Sequence, residues 1–136
     1  MKAIICDIDG TLADKGTRFP FDYEKVDQDT VKQAVAESIR LFHVARYKII
    51  IFSGREDISE EKTIAWLQTN DIPYEALYMR KAKDFRKDAV IKKELYEKYV
   101  MGKYEVLFVL DDRDQVVEMW RKDLGLPCFQ VDYGNF

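Results

Sequence analysis

The stretch Ala3-Ile4-Ile5-Cys6-Asp7-Ile8-Asp9-Gly10-Thr11-Leu12 decides the fold and points to the chemistry. An apolar, β-like run delivers two carboxylates where a buried strand should end. Along an extended segment residues i and i+2 share a face, and Gly10 supplies the backbone freedom for the turn that leaves it. Asp7 is thereby placed to attack phosphorus while Asp9 handles the leaving-group proton, a nucleophile and an acid/base from one short loop.

Outward from that strand, apolar or β-branched runs recur at Lys2 to Cys6, Tyr47 to Phe52, Ala76 to Met79, Glu105 to Leu110 and Cys128 to Val131. Each is separated from the next by a stretch of helical periodicity. A first helix is predicted to begin near Asp27 to Asp29, with Val31, Val35, Ile39 and Phe42 as its buried stripe. A second runs from about Ser59 to Thr69 with Ile64, Ala65 and Leu67 inward. A third covers roughly Asp84 to Tyr99, and a fourth Gln115 to Asp123, closed by Gly125 and Pro127. Helices alternating with near-continuously apolar strands imply an α/β fold: a doubly wound, parallel five-stranded sheet with helices on both faces. In the order 3-2-1-4-5 strands 1 and 4 meet at the topological switch point, where ligands bind. Residues 13 to 26, with Gly16, Pro20, Phe19, Phe21 and Tyr23, do not fit the alternation and are too short for a large cap. They read either as aromatics packed over the sheet edge or as a wall beside the site.

The 136 residues, 47% of them hydrophobic, suit one domain, expected to fill 1 to 136. A net charge of −3 excludes the basic footprint of a protein that coats nucleic acid nonspecifically. A local patch at a strand end remains open to it. Cys6 and Cys128 lie in strand-like runs and read as small core residues of a reduced, cytoplasmic protein. No apolar run reaches the length that spans a bilayer, so no membrane partner is expected. One histidine, His43, and two separated cysteines argue against zinc.

Two further strand ends carry functional groups. Ile49 to Phe52 opens into Ser53-Gly54-Arg55, a hydroxyl and backbone amides suited to phosphate oxygens. Val106 to Leu110 ends at Asp111-Asp112-Arg113, where adjacent carboxylates are unfavourable unless a cation neutralises them. Mg2+ fits, as a hard ion that takes one or two protein carboxylates and keeps positions for water and phosphate. The alternative is an acidic pair favoured by the dipole of the helix that follows. In the basic third helix Asp88 precedes Lys92 by four residues, close enough to orient its ammonium.

Cys6-Asp7-Ile8-Asp9-Gly10-Thr11 resembles the first motif of the haloacid dehalogenase superfamily of phosphatases. The chain as a whole resembles the 3′-phosphatase domain of the bacteriophage polynucleotide 5′-kinase/3′-phosphatase family. The matching stretches are Cys6 to Ala13, Ser53-Gly54-Arg55-Glu56, Arg86-Lys87-Asp88 with Lys92, and Asp111-Asp112-Arg113 followed by Gln115-Val116-Val117-Glu118-Met119-Trp120-Arg121. The last is the most specific, since the general chemistry does not require it. The resemblance implies Asp7 as nucleophile, Asp9 as general acid/base and Lys92 as the lysine that neutralises phosphate and nucleophile. It implies Ser53, Arg55, Arg80, Asp88 and Arg113 as phosphate-binding or supporting groups, and Thr11 and Gly54 complete the candidate substrate set. Asp112 is the preferred metal ligand and Asp111 its close alternative, joined by Asp7 and the Asp9 carbonyl.

The function so implied is Mg2+-dependent removal of a terminal 3′-phosphate from DNA or RNA through an aspartyl-phosphate, extending to 2′,3′-cyclic ends. The alternative is a phosphatase for nucleotides or small metabolites. A binding module without catalysis is disfavoured, because two anions facing a phosphate would gain it nothing. No G-x-x-x-x-G-K-[ST] loop is present, so no kinase domain is expected and a separate kinase or ligase partner is. Arg80, Lys81, Lys83 and Arg86 are the expected positive surface for the nucleic-acid end.

Overall fold

A computed structural model describes residues 1–14 and 23–136, and the side chains of all of these except 23–25. The Gly16, Phe19, Pro20 and Phe21 positions, and the side chain of Tyr23, therefore lie outside the described residues, and with them both readings of that loop. The elements in chain order are β1 (Lys2–Asp7), β2 (Ala13–Asp14), β3 (Thr30–Val31), α1 (Gln33–Val44), β4 (Lys48–Glu56), α2 (Glu60–Thr69), β5 (Ala76–Arg80), α3 (Asp88–Tyr99), β6 (Glu105–Asp111), α4 (Asp114–Glu118) and β7 (Cys128–Gln130).

The main sheet has the order β5-β4-β1-β6-β7 with every pairing parallel, which is the expected 3-2-1-4-5. Alternation along each strand divides the core between two faces. Ile4, Cys6, Ile49, Ile51, Phe108 and Leu110 pack with Ala36, Ile39, Trp66 and Leu67 of α1 and α2. Ala3, Ile5, Ile50, Phe52 and Val109 pack with Val100, Val116, Val117 and Trp120 on the other side. Both cysteines are buried and unbridged. Register aligns the carboxyl ends: Asp7 sits beside Phe52 and Cys6 beside Leu110, so β1 and β6 present Asp7 and Asp111 to one crevice. Among the described residues no helix is long and apolar enough to cross a membrane.

Three boundaries and one helix face differ from the sequence expectation, each for a tertiary reason. Helix α1 starts at Gln33, because Thr30 and Val31 are drawn into an antiparallel pair with Asp14 and Ala13; β-branched residues favour that pleated partner. Asp27 and Gln28 belong instead to a 3-10 turn, Tyr23–Gln28. In α2 the inward residues are Thr63, Trp66 and Leu67, while Ala65 is exposed. Trp66 takes the inward position because its indole N–H finds the Asp29 carbonyl at 2.8 Å. Helix α3 begins at Asp88 rather than near Asp84, since the Arg80 guanidinium holds the carbonyls of Asp84 and Arg86 in a turn. Strand β4 runs on through Ser53-Gly54-Arg55 to Glu56 with a register irregularity between Ser53 and Glu56. The Ser-Gly-Arg stretch is a bulged strand end, not a turn, and a bulge re-aims side chains.

Candidate active site

The site grows from the carboxyl end of β1. Asp7 is buried, and its two oxygens have different partners: Lys92 Nζ lies 2.8 Å from Oδ1 and the Thr11 hydroxyl 3.0 Å from Oδ2. Lys92, itself buried, also reaches Asp111 at 3.1 Å and Asp88 at 3.5 Å. The Asp88–Lys92 spacing expected on one helix face is realised, and α3 delivers the ammonium into the crevice. Thr11 shares its hydroxyl with Asp112 Oδ1 at 3.2 Å. Asp7, Asp111 and Asp112 each bring an oxygen within 4.8 Å of the others'.

One lysine faces this group of buried carboxylates, so the charge is not balanced. Burial, then Asp111, push the Asp7 carboxyl well above its ordinary range, with Lys92 opposing. Asp112 moves up as well, by burial, against a hydrogen bond to Asp7. Burial alone would pull Lys92 down. The carboxylates of Asp111, Asp7 and Asp88 outweigh it, and the lysine stays firmly charged. A set of hard oxygens with surplus negative charge is the donor chemistry of Mg2+. The two neighbours are not equally available. Asp111 Oδ2 is taken by Lys92 and by the Trp120 indole N–H at 3.2 Å, and its Oδ1 accepts the Asp112 N–H at 2.8 Å. Asp112 instead leans over Gly10, where a Cβ would come 2.1 Å from its Oδ2. Gly10 is needed for that approach as well as for its φ of +82°.

Asp9 stands apart from this cluster and is held by Arg55. The guanidinium donates in bidentate fashion, Nε to Oδ2 at 3.0 Å and Nη2 to Oδ1 at 2.8 Å. It is anchored behind by Asp29 at 3.2 Å and the Thr63 hydroxyl at 3.1 Å. Arg55 is 1% exposed, a buried fork whose orientation is set on three sides. The β4 bulge makes this reach available. Ser53 is buried and its Oγ accepts the Arg55 N–H at 3.1 Å. Gly54 packs against Asp88, whose Oδ1 would lie 2.5 Å from a Cβ there.

The remaining candidates serve the walls. Arg80 donates to the carbonyls of Gly54, Asp84 and Arg86. Arg113 donates to the Phe136 carbonyl at 3.0 Å and lies 5.2 Å from the centre of that ring. Both line an open cleft of about 1020 Å3 that also contains Asp7, Asp9, Arg55 and Asp112. Sequence reasoning missed Asp29, read only as marking a helix start, and Lys32, whose ammonium ties the Gly10 carbonyl to Asp132. It flagged the Gln115 to Arg121 stretch without a reason. Trp120 supplies one by steadying Asp111, and Arg121 another by holding the Cys128 carbonyl through two N–H groups. The backbone widens into a π-helical turn at Met119–Asp123 as it carries Trp120 inward.

Comparison with known proteins follows the same lines. Residues 1–136 match the family described as the polynucleotide kinase PNKP phosphatase domain. A protein of Autographa californica nuclear polyhedrosis virus, named as a bifunctional polynucleotide kinase/RNA ligase, is 38% identical over 99% of this chain and 20% of its own length. Among solved structures, a chain of the Pnkp1/Rnl/Hen1 RNA repair complex superposes with a TM-score of 0.97 at 48% identity, covering 99% of this chain and 43% of that one. A class C acid phosphatase from Bacillus anthracis shares the fold, with a TM-score of 0.65 at 16% identity over 85% of this chain and 52% of its own. The chain thus spans a fifth of its viral relative and less than half of the repair-complex chain.

Proposed function

The chain belongs to the family of polynucleotide kinase phosphatase domains, and on that premise we propose that it hydrolyses the terminal 3′-phosphate of DNA or RNA through an aspartyl-phosphate. The observation that carries the reading is the state of Asp7: a buried carboxylate at a strand end, gripped by Lys92 and Thr11, beside two further carboxylates. An oxygen of Asp7 attacks phosphorus as the bond to the 3′-oxygen breaks, and Asp9 gives its proton to that oxygen. Asp9 then takes a proton from water, whose oxygen attacks phosphorus and releases Asp7 and inorganic phosphate. Arg55 keeps Asp9 aimed through both steps, and Lys92 offsets charge on the nucleophile. Mg2+, held by Asp7, Asp112 and the Asp9 carbonyl with Asp111 behind them, would supply charge neutralisation between two anions.

The names of the viral relative and of the repair complex support a nucleic-acid end as substrate, and kinase and ligase activities as companions on the same or a separate chain. Phosphate release in Mg2+ from oligonucleotides phosphorylated at the 3′ or the 5′ end, and from 3′-mononucleotides, tests the proposal. Strong preference for the 3′-phosphorylated oligomer is expected. Equal rates at both ends, or a mononucleotide matching the oligomer, would make it a general small-molecule phosphatase.

A further inference from the structure

The cleft is far larger than a phosphate, and its walls carry exposed aromatic rings. Phe85 lies in the turn after β5 and is 83% exposed; Tyr133 lies in the segment after β7 and is 94% exposed. These elements are the opposite edges of the sheet, so the two rings rise on either side of the β1/β6 crevice. Among the described residues neither ring packs on another aromatic, whereas Phe136 is engaged by Arg113. Both segments are held in place from below. Arg80 fixes the Phe85 turn through two carbonyls. Gly134 fixes the other: its carbonyl accepts the Asp114 N–H at 2.7 Å, and a Cβ there would come 1.8 Å from the Asp112 carbonyl.

Two of the cations on the same rim are already paired. Arg86 is closed onto Asp84 and Glu94, with contacts of 2.6 to 3.0 Å, and Lys32 is closed onto Asp132. Lys81, Lys83 and Lys87 are exposed there as well, and attract a polyanion's backbone without regard to its bases. Stacking is the attraction that the two rings add to that rim, and it tolerates any base. Resting on the 3′-phosphatase reading, we propose that Phe85 and Tyr133 form a stacking subsite for the terminal bases of a single-stranded 3′ end, holding the polymer while its phosphate enters the pocket.

The test pairs a 3′-phosphorylated oligonucleotide with one whose 3′-terminal nucleotide is abasic. The wild-type protein is expected to show a KM about 5- to 150-fold higher for the abasic substrate, the range one stacked base commands. Tyr133→Ala and Phe85→Ala should raise KM on the normal substrate with little change in kcat, and shrink the difference between the two substrates. Tyr133→Phe should restore it. As a binding readout, 2-aminopurine placed as the 3′-terminal base should be quenched by an Asp7→Asn protein and released by adding Tyr133→Ala. Folded variants that discriminate abasic from normal ends as the wild type does would overturn the subsite alone. A wild-type protein that releases no phosphate from either oligonucleotide would overturn the phosphatase reading, and the subsite with it.

Discussion

The crevice between β1 and β6 and the rim around residues 81–87 both crowd acids against bases, yet they settle their charge in opposite ways. In the crevice Lys92 serves Asp7, Asp88 and Asp111, partners 85, 4 and 19 residues away, and negative charge is left over. On the rim Arg86 serves Asp84 and Glu94, 2 and 8 residues away, in solvent. The first is a site that wants another cation. The second is a brace in which Arg86 is already satisfied, and the same kinds of side chain do both jobs because burial alone differs.

The largest way to test this contrast is at Asp7. Asp7→Asn removes the proposed nucleophile and should cut single-turnover phosphate release about 10^4-fold or more. It also removes one buried anion from a group with too many, so the melting temperature should hold or rise. A folded Asp7→Asn protein with normal turnover would break the nucleophile assignment. Lys92→Met comes next. It strips the cation from buried carboxylates and should destabilise the protein by about 3–5 kcal/mol, read from urea unfolding. Arg86→Ala, measured alongside, should leave the melt within error of wild type. Equal losses would erase the distinction between the two regions.

The legibility of the chain follows the same division between local and distant partners. Asp7 and Asp9 could be read from an i, i+2 spacing, and the five strands from unbroken apolar runs, because those signals lie within a few residues. The order 3-2-1-4-5 followed from the alternation of strand and helix. Asp29 could not be read as the anchor of Arg55, because their contact spans 26 residues and depends on a bulge in β4. Nor could Trp66 be preferred over Ala65 as the inward residue, since the deciding hydrogen bond goes to the Asp29 backbone. Helix periodicity ran through Val31 in the sequence. The chain spends Thr30 and Val31 on pairing with Ala13 and Asp14 instead.

Metal binding sharpens the comparison through pH. Asp7 and Asp112 have folded values raised by burial, so the folded state holds protons that the unfolded state gives up. Their contribution is full below the ordinary carboxylate range and is lost as pH rises through the folded values. Without Mg2+, stability should therefore fall as pH rises from mildly acid towards neutral. Saturating Mg2+ should flatten that slope and raise the melting temperature, by about 2.7 kcal/mol equivalent at a hundredfold excess over Kd. Asp112→Asn should lose most of the Mg2+ response, and EDTA should abolish turnover of the wild type. A metal-free protein with no such slope, or a variant with an undiminished Mg2+ shift, would remove Asp112 from the ligand set.

The smallest effect is expected on the rim, and it has the opposite sign. The Arg86 guanidinium holds the Asp84 carboxyl down at about 2, and it lowers Glu94 too. A depressed folded value gives a contribution that is present above the ordinary carboxylate range and is lost only as pH falls through the folded value. The brace should therefore stay closed throughout the range in which the crevice changes charge. Amide hydrogen exchange of residues 81–87, corrected for the intrinsic pH dependence, should show constant protection from neutral pH to about pH 4 and loosen only below it. Arg86→Ala should loosen that turn at every pH, though only in part, because Arg80 still holds the carbonyls of Asp84 and Arg86 from beneath. Protection in the variant that matched wild type at neutral pH would assign the turn's order to Arg80 alone and leave the Arg86 ion pairs without a structural role.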